Sequence, residues 1–166
     1  MKDLLVRAGR PDELDAVEAL LREASAWLAS RNIDQWQYPP HRDRITDALE
    51  RGVCFLAFKG GKPIATIQLD NFADPEFWTS EDQPDSALYV HRMAVTRATS
   101  GAGVGGLLLD WASERAAAQG KRWLRLDAWK DNQGLHQFYK NAGFTLLRIV
   151  DLPHRRSGAL FQRSTG

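Results

Sequence analysis

At 166 residues the chain is long enough for one domain, taken as residues 1–166, with a sizeable core. Apolar residues make up 43% and charged residues 26%, and 22 basic against 21 acidic side chains leave a formal charge of +1, which argues against a disordered chain and gives no electrostatic basis for binding nucleic acid or an anionic membrane. The lone Cys54 excludes an intrachain disulfide and fits a reducing compartment, and no run approaches the roughly 18 consecutive apolar residues of a membrane span, so a cytoplasmic protein is expected.

Leu4-Leu5-Val6-Arg7-Ala8 reads as a short strand, and Pro11-Asp12-Glu13 starts a helix with acids suited to its first turn. Apolar residues then recur at Leu14, Val17, Leu20, Leu21, Ala24, Trp27 and Leu28, a helical stripe. A loop carrying Trp36 and Tyr38 leads to a second helix over His41 to Arg51, ended by Gly52. Val53 to Lys59 and Lys62 to Asp70 are strands, and the Gly60-Gly61 link between them predicts a hairpin. Asn71 to Gln83, irregular and aromatic, is expected to form a mobile flap. Leu88 to Val95 is a strand. After Thr96 to Ser100 and a glycine-rich turn comes a helix with Val104, Leu107, Leu108, Trp111 and Ala118 on its apolar side. Trp123 to Trp129 alternates as a strand. Asn132 caps a helix with Leu135, Phe138, Tyr139 and Ala142 on one side, and Gly143 ends it. Phe144 to Leu152 is a strand, Pro153 to Gly158 a basic turn, and Leu160 to Gln162 a last strand pairing back on its predecessor. The order β-α-α-β-β-β-α-β-α-β-β describes a mixed α/β domain around one sheet, helices on both faces, with one parallel step from Tyr89 to Trp129.

The glycine turn is the informative stretch. Gly101-Ala102-Gly103-Val104-Gly105-Gly106 places four glycines where a helix begins, a poor start unless close approach matters. The free N–H groups of a helix start suit bound phosphate, although the glycines alone fit an ordinary surface turn equally well. No Lys-Ser/Thr pair makes it a P-loop, and the spacing is not that of a dinucleotide fingerprint.

Taken together, Met93-Ala94-Val95, Ser100-Gly101-Ala102-Gly103-Val104-Gly105, Leu126-Asp127-Ala128-Trp129-Lys130-Asp131-Asn132 and Phe138-Tyr139-Lys140-Asn141-Ala142-Gly143-Phe144 resemble, in this order and spacing, the GCN5-related N-acetyltransferase (GNAT) superfamily. The resemblance covers the C-terminal half most fully. It implies a twisted, mostly antiparallel sheet of about seven strands with a V-shaped splay beside the central strand. It also implies an acyltransferase that uses acetyl-CoA. Ser100 departs from the pattern, standing where the family most often has Arg or Gln, so Arg97 or a nearby basic residue is the expected compensation.

By the same resemblance, Ser100 to Gly106 contact the pyrophosphate, while the backbone of Met93, Ala94 and Val95 and the side chain of Asn132 hold the pantetheine arm. Tyr139 becomes the general acid for the leaving thiolate, since a phenol with a pKa of about 10 can give up its proton there; on the pattern alone it is one more apolar-stripe residue. His91 is the candidate base, since an imidazole is suited to taking a proton from an ammonium, and it shares the parity of Tyr89 and Met93; the competing reading is a sheet histidine. Tyr89 could instead orient a water. Arg92, of opposite parity, is expected to pair with an acid on a neighbouring strand, and His136 and His154 to lie on the surface. The four histidines and one cysteine have no metal-ligand spacing.

Trp27, Trp36, Tyr38, Phe77, Trp78 and Trp129 are the candidates to line the acceptor pocket, with at least half of the tryptophans expected in the core, and Asp34, Asp70, Asp74 and Glu76 could attract an amine. The leading expectation is acetyl transfer to a primary amine of a small molecule by direct attack in a ternary complex, in a monomer or homodimer. A peptide or protein N-terminal or lysine acetyltransferase is the alternative on the same fold, and an inactive acyl-CoA-binding regulatory module the alternative outside catalysis.

Overall fold

Eleven regular elements follow one another in the computed structural model, which describes residues 4–30, 41–99 and 102–166. They are β1 (Leu4–Ala8), α1 (Leu14–Ser30), α2 (Arg42–Glu50), β2 (Cys54–Lys59), β3 (Lys62–Asp70), β4 (Ala87–Val95), α3 (Val104–Ala118), β5 (Trp123–Trp129), α4 (Gln133–Asn141), β6 (Thr145–Ile149) and β7 (Ser157–Ser164). This is the order expected from the sequence. The strands form one open seven-stranded sheet in the order β1-β2-β3-β4-β5-β7-β6. β4 and β5 run parallel; β1 with β2, β2 with β3, β5 with β7 and β6 with β7 are antiparallel. By its contacts the chain divides into two compact units, Met1–Leu69 with Arg92–Leu108, and Asp70–His91 with Leu109–Gly166. β4 contributes residues to both.

In the first unit, a single 3-10 turn at Pro11–Glu13 leads into α1. Glu13 accepts the Arg10 backbone N–H at 2.8 Å and both terminal nitrogens of Arg7 at 2.8 Å, so one carboxylate ties the helix start to β1. That pairing with Arg7 holds the Glu13 carboxyl well below the usual range, at about 2. The α1 stripe behaves as its period predicts: Val17, Leu20 and Leu21 are buried with Ile45, Ala48 and Leu49 of α2, Cys54 and Leu56 of β2, and Ala94 of β4. Each large side chain buried this way contributes about 1.5–3 kcal/mol. Thr66 puts a hydroxyl in the core without penalty because it donates to the Phe55 carbonyl at 3.0 Å. Cys54 is buried beside it, and burial raises its thiol pKa, so it is not a nucleophile.

In the second unit, β4 pairs with β5 from Ala87↔Trp123 to Val90↔Leu126. Phe77, Trp78, Ala87, Tyr89 and Leu160 form its buried cluster. The segment expected to be a flap is anchored instead. Phe77 and Trp78 are buried, Arg148 of β6 grips Asp82 at 2.6 and 3.0 Å and the Phe77 carbonyl at 3.1 Å, and Arg155 reaches Asp74 and Glu76, both at 2.9 Å. Irregular backbone was mistaken for loose backbone.

Two further expectations change. α3 buries Val104, Leu108, Leu109, Ala112, Ser113 and Ala116, while Leu107 and Trp111 are only partly buried and Ala118 is exposed. A stripe drawn through the largest side chains missed the small residues on which close packing centres. β6 stops at Ile149 and β7 begins at Ser157, because the chain turns tightly enough for Val150 N–H to meet the Gly158 carbonyl at 2.8 Å. Gly158 has φ +147°, and a Cβ there would lie 2.2 Å from the Val150 carbonyl oxygen. Gly158→Ala is therefore expected to cost about 1–3 kcal/mol or more, read as a lower Tm in thermal unfolding; an unchanged Tm would show that this backbone contact is not required.

Candidate active site

His91 is held by a buried acid. Its Nε2 lies 3.0 Å from Asp70 Oδ1, and the same oxygen accepts the Phe72 backbone N–H at 3.0 Å. The Asp70 side chain is 5% exposed and that of His91 22%, so the carboxylate is shielded while the imidazole still meets solvent. An ionised carboxylate only accepts hydrogen bonds, so Nε2 carries the proton and Nδ1 of the neutral ring is left with its lone pair. Buried acid, oriented imidazole and a basic nitrogen are the parts of a general base. Asp70, expected to attract an amine, instead has its carboxylate engaged in orienting this ring.

Tyr139 packs edge-on or tilted against Phe138, Phe144 and Phe161, with ring centroids 5.3 to 5.7 Å apart. Burial, with a smaller contribution from the Asp127 charge, pushes its phenol pKa above the ordinary value. Near neutral pH the hydroxyl therefore keeps its proton, as a donor must. No described residue hydrogen-bonds to that hydroxyl. The Asn132 side chain accepts the Leu135 N–H at 3.0 Å, so Asn132 is the N-cap of α4 that its position predicts.

Tyr89 sits differently from expectation. It is 1% exposed, donates to the Pro84 carbonyl at 2.9 Å, accepts from Arg125 Nη1 at 3.2 Å and meets Trp78 edge-on. Its only proton is committed to a turn, which makes it structural rather than a holder of reactive water. The strict alternation assumed from Tyr89 through His91 to Met93 also fails, because Arg92 between them has φ +46°. Nor does Arg92 pair with an acid among the described residues. His136, expected on the surface, is buried: its Nε2 meets the Trp129 carbonyl at 2.7 Å and its ring lies edge-on to Phe161. His154 is exposed and pairs with Glu76 at 2.5 Å.

At the glycine turn, Gly103 adopts φ +79° and α3 starts at Val104. Nothing stands within 4 Å of where a Cβ would project from Gly103 or Gly106. The backbone N–H groups at this helix start have no acceptor within the helix, so the open cradle fits an anionic phosphate. The Ala102 N–H is an exception, spent on the Thr99 carbonyl at 3.1 Å. Arg97, the expected substitute for a charged residue at position 100, lies with its guanidinium 3.9 Å above the Trp27 ring, and its backbone N–H donates to Glu23 at 2.6 Å.

The aromatic pocket candidates disperse. Phe77 and Trp78 are core residues at 1% and 4% exposure, each with an arginine over its ring: Arg155 at 4.4 Å and Arg125 at 4.8 Å. Trp129 is partly buried, with Arg156 at 5.5 Å. Trp27 is the partner of Arg97. Trp36, Tyr38, Ser100 and Gly101 lie outside the described residues.

Residues 17–144 match the acetyltransferase (GNAT) family. The chain belongs to that family. It is 28% identical over 143 residues to the uncharacterized N-acetyltransferase YesJ of Bacillus subtilis, covering 82% of this chain and 78% of that one. Among solved structures, a GNAT-family acetyltransferase of Listeria monocytogenes superposes with a TM-score of 0.80 at 23% identity, covering 97% of this chain and 94% of the other. The PaiA N-acetyltransferase of Thermoplasma acidophilum, determined in complex with coenzyme A, does so with 0.75 at 17% identity, covering 97% and 98%. The fold class and the acyltransferase activity expected from the sequence both stand; no described helix is long and apolar enough to cross a membrane.

The Asp70–His91 pair makes a direct prediction for this GNAT domain. In wild type, long-range 15N–1H spectra should find neutral His91 as the Nε2–H tautomer, and Asp70→Ala should release it to a mixture. An unchanged tautomer in the variant would mean that Asp70 does not orient the ring.

Proposed function

We propose that this GNAT enzyme transfers the acetyl group of acetyl-CoA to the primary amine of a small molecule by direct attack within a ternary complex. Acetyl-CoA supplies the activated acyl group. The amides at the α3 start, Gly103 to Gly106, bind its pyrophosphate. The backbone of Met93, Ala94 and Val95, with Asn132 at the α4 cap, holds the pantetheine arm.

The acceptor must arrive with a lone pair on nitrogen. His91, fixed by Asp70 as the Nε2–H tautomer, uses Nδ1 to take a proton from the ammonium, directly or through water. The nitrogen then bonds to the acyl carbon and the carbon–sulfur bond breaks; Tyr139 gives its phenolic proton to the departing thiolate, and the second proton of the attacking nitrogen, lost as the amide forms, returns the phenolate to phenol directly or through water. The buried Tyr139, whose hydroxyl has no hydrogen-bond partner among the described residues and so has its proton free to give, is the observation that carries this reading.

The test is Tyr139→Phe. The ring contacts with Phe144 and Phe161 survive, so folding and CoA affinity should be retained. The turnover number should fall by roughly a hundred-fold or more, measured as thiol release from acetyl-CoA. Equal turnover in the variant would remove Tyr139 as the acid.

A further inference from the structure

One cavity of about 350 Å³ is lined by Asp43, Arg44 and Asp47 of α2, Arg51 just beyond it, Gln68 of β3 and Arg92 of β4. All six belong to the first compact unit. Its size suits a small metabolite. Of its three arginines, only Arg51 has an acid to itself, Asp47 at 2.8 Å along α2. Among the described residues, neither Arg44 nor Arg92 makes a hydrogen bond or an ion pair.

Arg92 is the unusual member. It is partly buried, and burial together with the nearby Arg44 charge pulls its guanidinium below the ordinary value. Its backbone has φ +46°, a conformation that is costly for any residue but glycine. A strained backbone thus holds a shielded cation near a second cation, and neither is ion-paired among the described residues. An anion entering the cavity would relieve the repulsion and give both guanidiniums an acceptor, for which their forked donors are well shaped.

We propose that Arg44 and Arg92 bind the carboxylate of the acceptor, so that the substrate is a small amine that also carries a carboxylate, an amino acid or a close analogue. The inference rests on the acetyltransferase reading and narrows its substrate class. A carboxylate is favoured over a more highly charged anion because Asp43 and Asp47 line the same cavity. They hold its net charge to +1 from three arginines and two acids, and they would repel a dianion. A polyamine, by contrast, would bring its positive charge to the two unpaired arginines. Arg92 directly follows His91 in the chain.

Thiol release from acetyl-CoA is measured with proteinogenic amino acids, their carboxamides and the amines left by decarboxylation. At least one amino acid should exceed its own carboxamide in kcat/KM by about ten-fold or more, mainly through KM. Arg44→Gln should erase that difference, and so should Arg92→Gly, whose backbone accepts the positive φ and therefore keeps the fold. Carboxamides or decarboxylated amines turned over as well as their parent acids would overturn the inference while leaving acetyl transfer intact.

Should no amine be acetylated, the acetyltransferase reading fails and binding alone decides the matter. N-acetylated amino acids, their carboxamides and inorganic phosphate are then titrated against the Arg92 side-chain 15Nε signal. A saturable shift caused by a carboxylate, absent with its carboxamide and lost in Arg44→Gln, supports the site. A shift with phosphate only, or with none of the three, overturns it.

Discussion

The structure turns on one backbone conformation, the left-handed Arg92 in the middle of β4. Up to Val90 this strand is a regular parallel partner of β5, residue against residue. At Arg92 the pleat is interrupted, and the residues that follow, Met93 to Val95, no longer keep the alternation begun at Tyr89. A non-glycine residue in this conformation costs about 1–3 kcal/mol, a substantial share of the roughly 5–15 kcal/mol that stabilises a typical domain. Glycine would remove most of that strain. An arginine is found there instead, and it lies between the imidazole at His91 and the strand end to which the pantetheine arm is assigned. The strain falls beside the residues proposed for the chemistry.

Around that interruption, electrostatics divides the polar groups into those used by the fold and those left available. Asp82, Asp74 and Glu76 are occupied by Arg148, Arg155 and His154, and Tyr89 by Pro84 and Arg125. These contacts hold the irregular chain between β3 and β4 in place. Among the described residues, the groups proposed for function are the Nδ1 lone pair of His91, the proton of Tyr139, the amides opening α3, and the guanidiniums of Arg44 and Arg92. Each is matched to a task. Burial raises the Tyr139 phenol pKa, so the hydroxyl is protonated near neutral pH, and no described residue takes up that proton. The α3 start offers hydrogen-bond donors without charge, which suits it to a pyrophosphate that must leave again after each turnover.

The order of elements could be read in the sequence because each left a local signature. The 3.6-residue period marks α1, the Gly60-Gly61 pair marks the β2–β3 hairpin, and Asn132 marks the start of α4. The glycine turn was equally visible, but only Met93 to Val95 before it and the Asn132 to Tyr139 run after it gave it a meaning. What stayed hidden depends on distance through space. Asp70 and His91 are separated by the whole anchored segment, so no spacing rule joins them. Phe77 and Trp78 seemed fit for a pocket because their surroundings in the chain are polar. Their burial arises from β4 and β7, which the local sequence does not describe. Strand parity put Arg92 opposite an acid of a neighbouring strand, and the positive φ that breaks that parity has no sequence signature at an arginine.

The central claim is that this chain uses the opening of α3 to bind acetyl-CoA. Titration of 15N-labelled protein with acetyl-CoA tests it most directly. The account predicts saturable shifts of the Gly103, Val104, Gly105 and Gly106 backbone amides, larger than those in the middle of α1. Saturating acetyl-CoA that leaves those four amides unmoved would contradict it.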